Sequence, residues 1–191
     1  MLSNPITTLE ACWTNTLGSI PRKLITEVSL EDLKLAPEVF QFRSRPCSVL
    51  EQSQPVEALE KELLSHPLTV FRVASDIYLV DGHKRYETMK AAMEKGYLTH
   101  TTVPVIECRG TFKEARYQAV INNLAGSNPL TSEELEEAVW SLLLHGSGSW
   151  GEQTELRRVT SVDKNKVSKF HLLQVSMRDQ GIDPTQYTLE E

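Results

Sequence analysis

IYLVDGHKRYETMKAA, residues 77–92, passes from a short apolar run to a glycine and then directly into a pattern of helical period. The run at 77–80 is β-branched and aromatic, as strands are. After Gly82 the apolar positions Met89, Ala92 and Met93 recur at helical spacing until Lys95 and Gly96 close the element. A strand that ends in Asp-Gly and runs into a helix presents free amides and the positive end of the helix dipole. Anions bind at such a place, and Gly82 lets one approach the backbone closely. Lys84 and Arg85 add mobile charge and a bidentate fork suited to phosphate oxygens. Without an anion, cations at a helix start are unfavourable by roughly 0.3–1 kcal/mol each. The alternative is structural: Arg85 pairs with Glu31, Glu38 or Asp81 and pins the helix to the sheet.

Upstream, 68–73 (LTVFRV) is a second strand, separated from 77–80 only by Ala74, Ser75 and Asp76, so the two form a hairpin. An amphipathic helix from Pro55 precedes it, and residues 24–35 read as a strand followed by a helical turn that Ser29 caps. Between them FQFRSRPC alternates apolar and polar residues, which puts Gln41, Arg43 and Arg45 on one face. Downstream, 101–108 is a strand whose Pro104 suggests an edge or strand-start position. A helix follows over 112–123, then a polar break. Thr131 with Glu134 three residues on forms a capping box and opens a helix to about Leu144.

The loop HGSGSWG at 145–151 is the candidate hinge, with Trp150 as an anchor and Trp140 in the core. Beyond it come two helices with a turn between. In outline this is a helix-turn-helix, with Val167, Phe170 and Leu173 inward and Ser161 where such turns often carry glycine. Arg157, Arg158, Lys164, Lys166 and Lys169 are the candidate nucleic-acid contacts; between 156 and 178 only Asp163 opposes the basic side chains. Neither tryptophan reads as a base-stacking residue, because neither has a basic neighbour in sequence. Residues 183–191 read as frayed.

The whole chain limits these readings. At 191 residues, 40% hydrophobic and 24% charged, it suits one globular domain with an appendage. A net charge of −6 means that any DNA contact must be local. Cys12, Cys47 and Cys108 are odd in number and lack CxxC spacing, against a disulfide framework or zinc site. MLSNPITTLE lacks the pattern of a signal peptide, and no run approaches the roughly 18 apolar residues of a membrane span. The expectation is a cytoplasmic protein with reduced thiols.

VFQFR, the hairpin, LVDGHKRYETMKAA, a strand beginning VPV, and INNLAGSNPLTSEELEEA resemble, in that order, the ParB/sulfiredoxin superfamily over about residues 28–144. Thr88 stands where the second box of ParB chains has alanine, and Asn122 and Asn123 stand where the third has Glu-Asn. His83 replaces the sulfiredoxin cysteine, which removes the thiolate that peroxide repair requires. The resemblance implies an α+β fold, a small mixed sheet with packed helices, followed by a helical carboxy-terminal segment. The implied division is an arm at 1–22, the ParB/sulfiredoxin-like domain at 23–144, the loop at 145–151 and a helical segment at 152–191. It implies a phosphate pocket of Gly82, Lys84 and Arg85 with Arg43, Arg45 and Asn123, holding ATP or another nucleoside triphosphate. His83 and Arg85 take the catalytic places, and Asp81 and Glu38 hold a divalent metal such as magnesium.

In size the chain is similar to plasmid fertility-inhibition proteins of the Osa type. That likeness implies an ATPase and DNase that blocks conjugative DNA transfer, with DNA, nucleotide and a coupling protein of the conjugation system as partners. Two alternatives stand beside it: a ParB-like DNA-binding partition adaptor, and a free-serine kinase with Glu38 as base.

Overall fold

The computed structural model describes residues 25–43, 64–98, 100–108, 110–125, 129–146 and 148–187, together with Ile6, Leu9, Glu10, Lys61 and Leu189. Arg45, Trp13 and most of the helix expected from Pro55 lie outside the described residues. Strands β1 (Ile25–Ser29), β2 (Leu33–Lys34), β3 (Leu68–Val73), β4 (Asp76–Asp81) and β5 (Thr102–Glu107) form one mixed sheet in the order β1-β5-β3-β4-β2. The hairpin β3–β4 is antiparallel, as is β1–β5, while β5 runs parallel to β3 and β2 parallel to β4. Helices described over their whole length are α1 (Pro37–Phe40), α2 (His83–Glu94), α3 (Phe112–Ala125), α4 (Ser132–Leu144), α5 (Trp150–Thr160) and α6 (Lys164–Asp179). The described residues are therefore α+β, a small mixed sheet with helices packed on both faces.

Alternation along β3 and β4 divides the packing between the two faces of the sheet. Leu68, Val70 and Leu79 face Tyr86, Met89 and Ala92 of α2. Phe71, Val73 and Val80 face Phe40 of α1 and Phe112, Ala115 and Ala119 of α3. The rings of Phe40, Phe71 and Phe112 meet at centroid distances of 5.9–6.5 Å, in the tilted and edge arrangements that aromatic clusters favour. The other side of α3, through Tyr117 and Val120, enters a third cluster with Trp140 and Leu143 of α4, Leu156 of α5, and Val167 and Phe170 of α6. One helix thus serves both the sheet core and the helical core. No helix among the described residues is long and apolar enough to cross a membrane.

Several local expectations are corrected. The alternation at 40–43 is no strand: Phe40 ends α1, Gln41–Arg43 are irregular, and Pro37 at the first turn pre-sets the helix instead. Ser29 does precede a 3-10 turn, Leu30–Asp32, yet its side chain makes no capping bond. Strand β5 lies inside the sheet; Pro104 is tolerated where β5 runs beside β1 alone, because pairing with β3 begins at Val105. The capping box of Thr131 and Glu134 is present in full. Trp150 already belongs to α5 and is 66% exposed, so it anchors no hinge. The carboxy-terminal stretch is docked: Pro184–Gln186 form a 3-10 turn, and the Trp140 indole donates to the Tyr187 carbonyl at 3.1 Å.

Candidate functional site

Strand β4 ends at Asp81, and Gly82 turns the chain into α2 with φ 100° and ψ 21°, a left-handed conformation that side chains rarely adopt. No side chain caps the first amides of α2. A Cβ on Gly82 would lie 2.5 Å from Leu68 Cδ2 and 3.0 Å from Arg85 Nη2, so the glycine is required by space as well as by torsion. The Arg85 guanidinium folds back over it. Its Nη1 donates to the carbonyls of His66 (2.5 Å) and Pro67 (3.0 Å), and its Nη2 stands 3.7 Å from Asp81 Oδ2. The cation that looked misplaced at a helix start is thus satisfied within the chain, by the strand entry on one side and by Asp81 on the other. Lys84 is exposed. The buried Thr88 returns its hydroxyl to the Lys84 carbonyl at 2.9 Å, which explains how a hydroxyl fits a position where the resembling box has alanine.

His83, the first residue of α2, has its Nε2 buried without a partner among the described residues. Burial lowers its pKa from the ordinary histidine value, and Asp81 only partly opposes this. The imidazole is therefore neutral at pH 7, able to accept a proton or a hydrogen bond but not to neutralise a phosphate.

Two further boxes converge on this corner. Arg43 Nε donates to Asn123 Oδ1 at 2.8 Å, and Asn123 Nδ2 donates back to the Ala119 carbonyl at 2.7 Å. The preceding residue, Asn122, reaches Thr69 Oγ1 on β3 at 3.2 Å while accepting from Gln118 at 2.6 Å. Thr69 lies opposite Asp81 in the hairpin register. The end of α3 therefore sits over the strand positions that launch Gly82, and Arg43 is tied to its next residue.

Glu38 is exposed on α1. Among the described residues no three His, Cys, Asp or Glu side chains gather to hold a metal, so the chain alone forms no closed cation cage at this corner. The uncapped amides at the start of α2 fit a phosphate group, although Leu68 and the Arg85 guanidinium fill the space directly over Gly82.

Sequence reasoning missed the polar interior of α3. Arg116 is 2% exposed and donates to the Val39 carbonyl (3.3 Å) and to Ser141 Oγ (2.8 Å), joining α1, α3 and α4. Burial pulls its pKa down to about 10, which leaves it charged at pH 7. Lys113 pairs with the buried carboxylate of Glu152, which also accepts from the Gly148 amide at 2.7 Å. Lys113, Glu152 and Tyr117 line a cleft of about 550 Å³ between α3 and α5. The one available signal was position: Arg116 sits between Ala115 and Ala119 on the buried side of the helix.

The last two helices join through residues 161–163. Ser161 takes the left-handed conformation (φ 60°, ψ 13°) where the sequence lacks the usual glycine, and Asp163 caps α6 by accepting from the Asn165 amide at 2.8 Å. Val167 and Phe170 are inward as expected. Leu173 is not: it is 46% exposed, and Gln174 takes the inward place and donates to the Trp140 carbonyl at 3.0 Å. Of the five basic candidates, Arg158 is paired with Glu155 at 2.6 Å and Lys166 with Glu136. Lys164 lies over the Trp150 ring, 5.0 Å from its centroid. Arg157 and Lys169 have no ion pair among the described residues.

No protein-family profile matches the chain, and no curated protein does. Solved structures with a similar chain course include a C-terminally truncated chromosome-partitioning protein ParB from Caulobacter crescentus complexed to the centromeric parS site. It is 16% identical, with 76% of this chain and 70% of that one covered, at a TM-score of 0.41. A pNOB8-like ParB N-domain is 16% identical, with 82% and 67% covered, at a TM-score of 0.47. The Caulobacter crescentus protein complexed with CTP-gamma-S is 18% identical, with 78% of each chain covered, at a TM-score of 0.35.

Proposed function

We propose that this chain is a ParB/sulfiredoxin-type protein that binds a nucleotide at the Gly82 corner and duplex DNA through α5 and α6. The observation that carries the reading is the convergence on that corner: Arg43 bonded to Asn123, and Asn122 bonded to the strand residue opposite Asp81. Polar groups from three separate stretches meet beside Gly82 and beside amides that no side chain caps. Nucleotide phosphates satisfy such amides. The DNA-binding half is supported by the tight left-handed turn at Ser161 between α5 and α6, the outline of a helix-turn-helix, and by Lys164 and Lys169 exposed on α6.

The test is equilibrium binding of ATP and CTP to the full chain, with and without duplex DNA. Lys84→Ala and Arg43→Ala are expected to weaken nucleotide binding about tenfold, the loss of one charge-assisted contact. A wild-type chain that binds neither nucleotide overturns the proposal.

His83 favours a second, enzymatic reading. Its neutral Nε2 at the start of α2 has no partner among the described residues, and it would serve as the base for an attacking water only where nucleotide binding uncovers it. In that reading the corner turns over ATP, the DNA held by α5 and α6 is cleaved, and the protein acts in plasmid fertility inhibition. No step is assigned to a metal. His83→Asn is expected to keep ATP binding and lose phosphate release; turnover equal to wild type ends this reading.

A further inference from the structure

Trp150 is the first residue of α5, held there by Ser149, whose side chain accepts from the Glu152 amide. The helix turns Glu152, Leu156 and Thr160 inward, which leaves the indole outward at 66% exposure. The indole is the largest apolar side chain left exposed among the described residues, and a ring with an apolar body and a polar N–H is suited to contact with a polar partner. Thr154, Arg157 and Arg158 follow on the same side of the helix, four, seven and eight residues on. Lys164, the first residue of α6, extends over the ring. A side chain that would otherwise sample many rotamers is thereby fixed beside the indole, its ammonium held at the starts of two helices whose dipoles both favour anions. Farther along the same side of α5, Arg158 is held by Glu155 and Arg157 has no ion pair among the described residues, so Lys164 and Arg157 put positive charge on this side although the whole chain carries −6.

We propose that Trp150 and Lys164 form a contact for the sugar-phosphate backbone of duplex DNA, flanking the outward side of α6. The inference rests on the DNA-binding reading above and adds a residue that α6 does not contain. The indole packs against sugar and offers its N–H to a phosphate oxygen, while Lys164, already positioned, pairs with the neighbouring phosphate. A protein partner is disfavoured by the unpaired positive charge around the ring, which a polyanion neutralises. Backbone contacts of this kind fix position without reading sequence.

The experiment is fluorescence anisotropy of a labelled duplex, titrated with the full chain over a range of salt concentrations. Trp150→Ala is expected to weaken binding about tenfold on every sequence tried, the scale of one aromatic contact, and Trp150→Phe to recover part of the loss. Lys164→Gln is expected to lower the slope of log affinity against log salt by about one, the signature of one lost phosphate contact. If wild type binds duplex and Trp150→Ala binds it equally, this inference fails while the DNA-binding reading stands. Loss of affinity in Trp150→Ala for single strands alone also overturns the duplex assignment. If wild type binds no duplex at low salt, both fail together.

Discussion

Gly82 holds a backbone conformation with φ 100° in the one place where a side chain would also strike Leu68 and the Arg85 guanidinium. Gly82→Ala therefore has two penalties, torsional strain and displacement of a guanidinium that spans two carbonyls and Asp81. The expected loss of stability is about 1–3 kcal/mol, seen as a lower urea midpoint with unchanged slope. A midpoint equal to wild type would mean that the turn relaxes freely and that the glycine is dispensable. At this scale the sequence was half legible. An Asp-Gly between a strand pattern and a helix pattern points to a tight turn whatever the fold. The partners of Arg85 were hidden, because the acceptors that hold it are main-chain carbonyls at His66 and Pro67, and carbonyls leave no mark in a sequence. Arg116 was hidden for the same reason, its contacts being the Val39 and Ser141 main chain and one hydroxyl.

Elements whose signal is local were legible from end to end. The hairpin follows from β-branched runs separated by three residues, and α4 from a capping box whose two bonds join residues three apart. Elements that depend on distant packing were not. The apolar-polar alternation at 40–43 mimics a strand, but Phe40 is drawn into the ring cluster with Phe71 and Phe112, and among the described residues no strand pairs with it. Gln174, seven residues after Val167, is the residue that falls on the inward side of α6, where it donates to the Trp140 carbonyl, and Leu173 is turned outward.

Ser161 gives this scale its prediction. A non-glycine residue in the left-handed region costs about 1–2 kcal/mol, of which glycine would recover most while losing about 0.5–1 kcal/mol to its freer unfolded chain. Ser161→Gly is expected to stabilise the chain by about 0.5 kcal/mol, and Ser161→Val to destabilise it by more than that, because a β-branched residue tolerates the conformation least. Both are read from urea midpoints. Destabilisation by glycine would show that the serine hydroxyl, and not the torsion, holds the turn.

The whole molecule is joined through α3. One side of that helix closes the sheet core with Phe112, Ala115 and Ala119; another enters the helical core with Tyr117 and Val120. Arg116 ties it to Ser141, and Lys113 ties it to Glu152 across the stretch that reads as a hinge. Beyond that stretch, Lys166 bonds Glu136, Gln174 bonds the Trp140 carbonyl and Arg178 the Leu144 carbonyl at 3.1 Å. These contacts cross the 145–151 loop in one direction, from the last two helices onto α3 and α4. Loosening α5 and α6 would uncover Trp140, Leu143 and Val120 and leave the buried Glu152 and Lys113 without each other, a cost that rises steeply for an unpaired buried charge. The chain is therefore expected to unfold in one cooperative transition, with tryptophan fluorescence and far-ultraviolet circular dichroism giving the same midpoint. A chain ended at Leu144 is expected to lose that cooperative transition, since α4 would keep only one of its packed sides. Two separated transitions in the full chain, the first lost on truncation and the second unchanged, would instead establish the 152–191 segment as an independent unit.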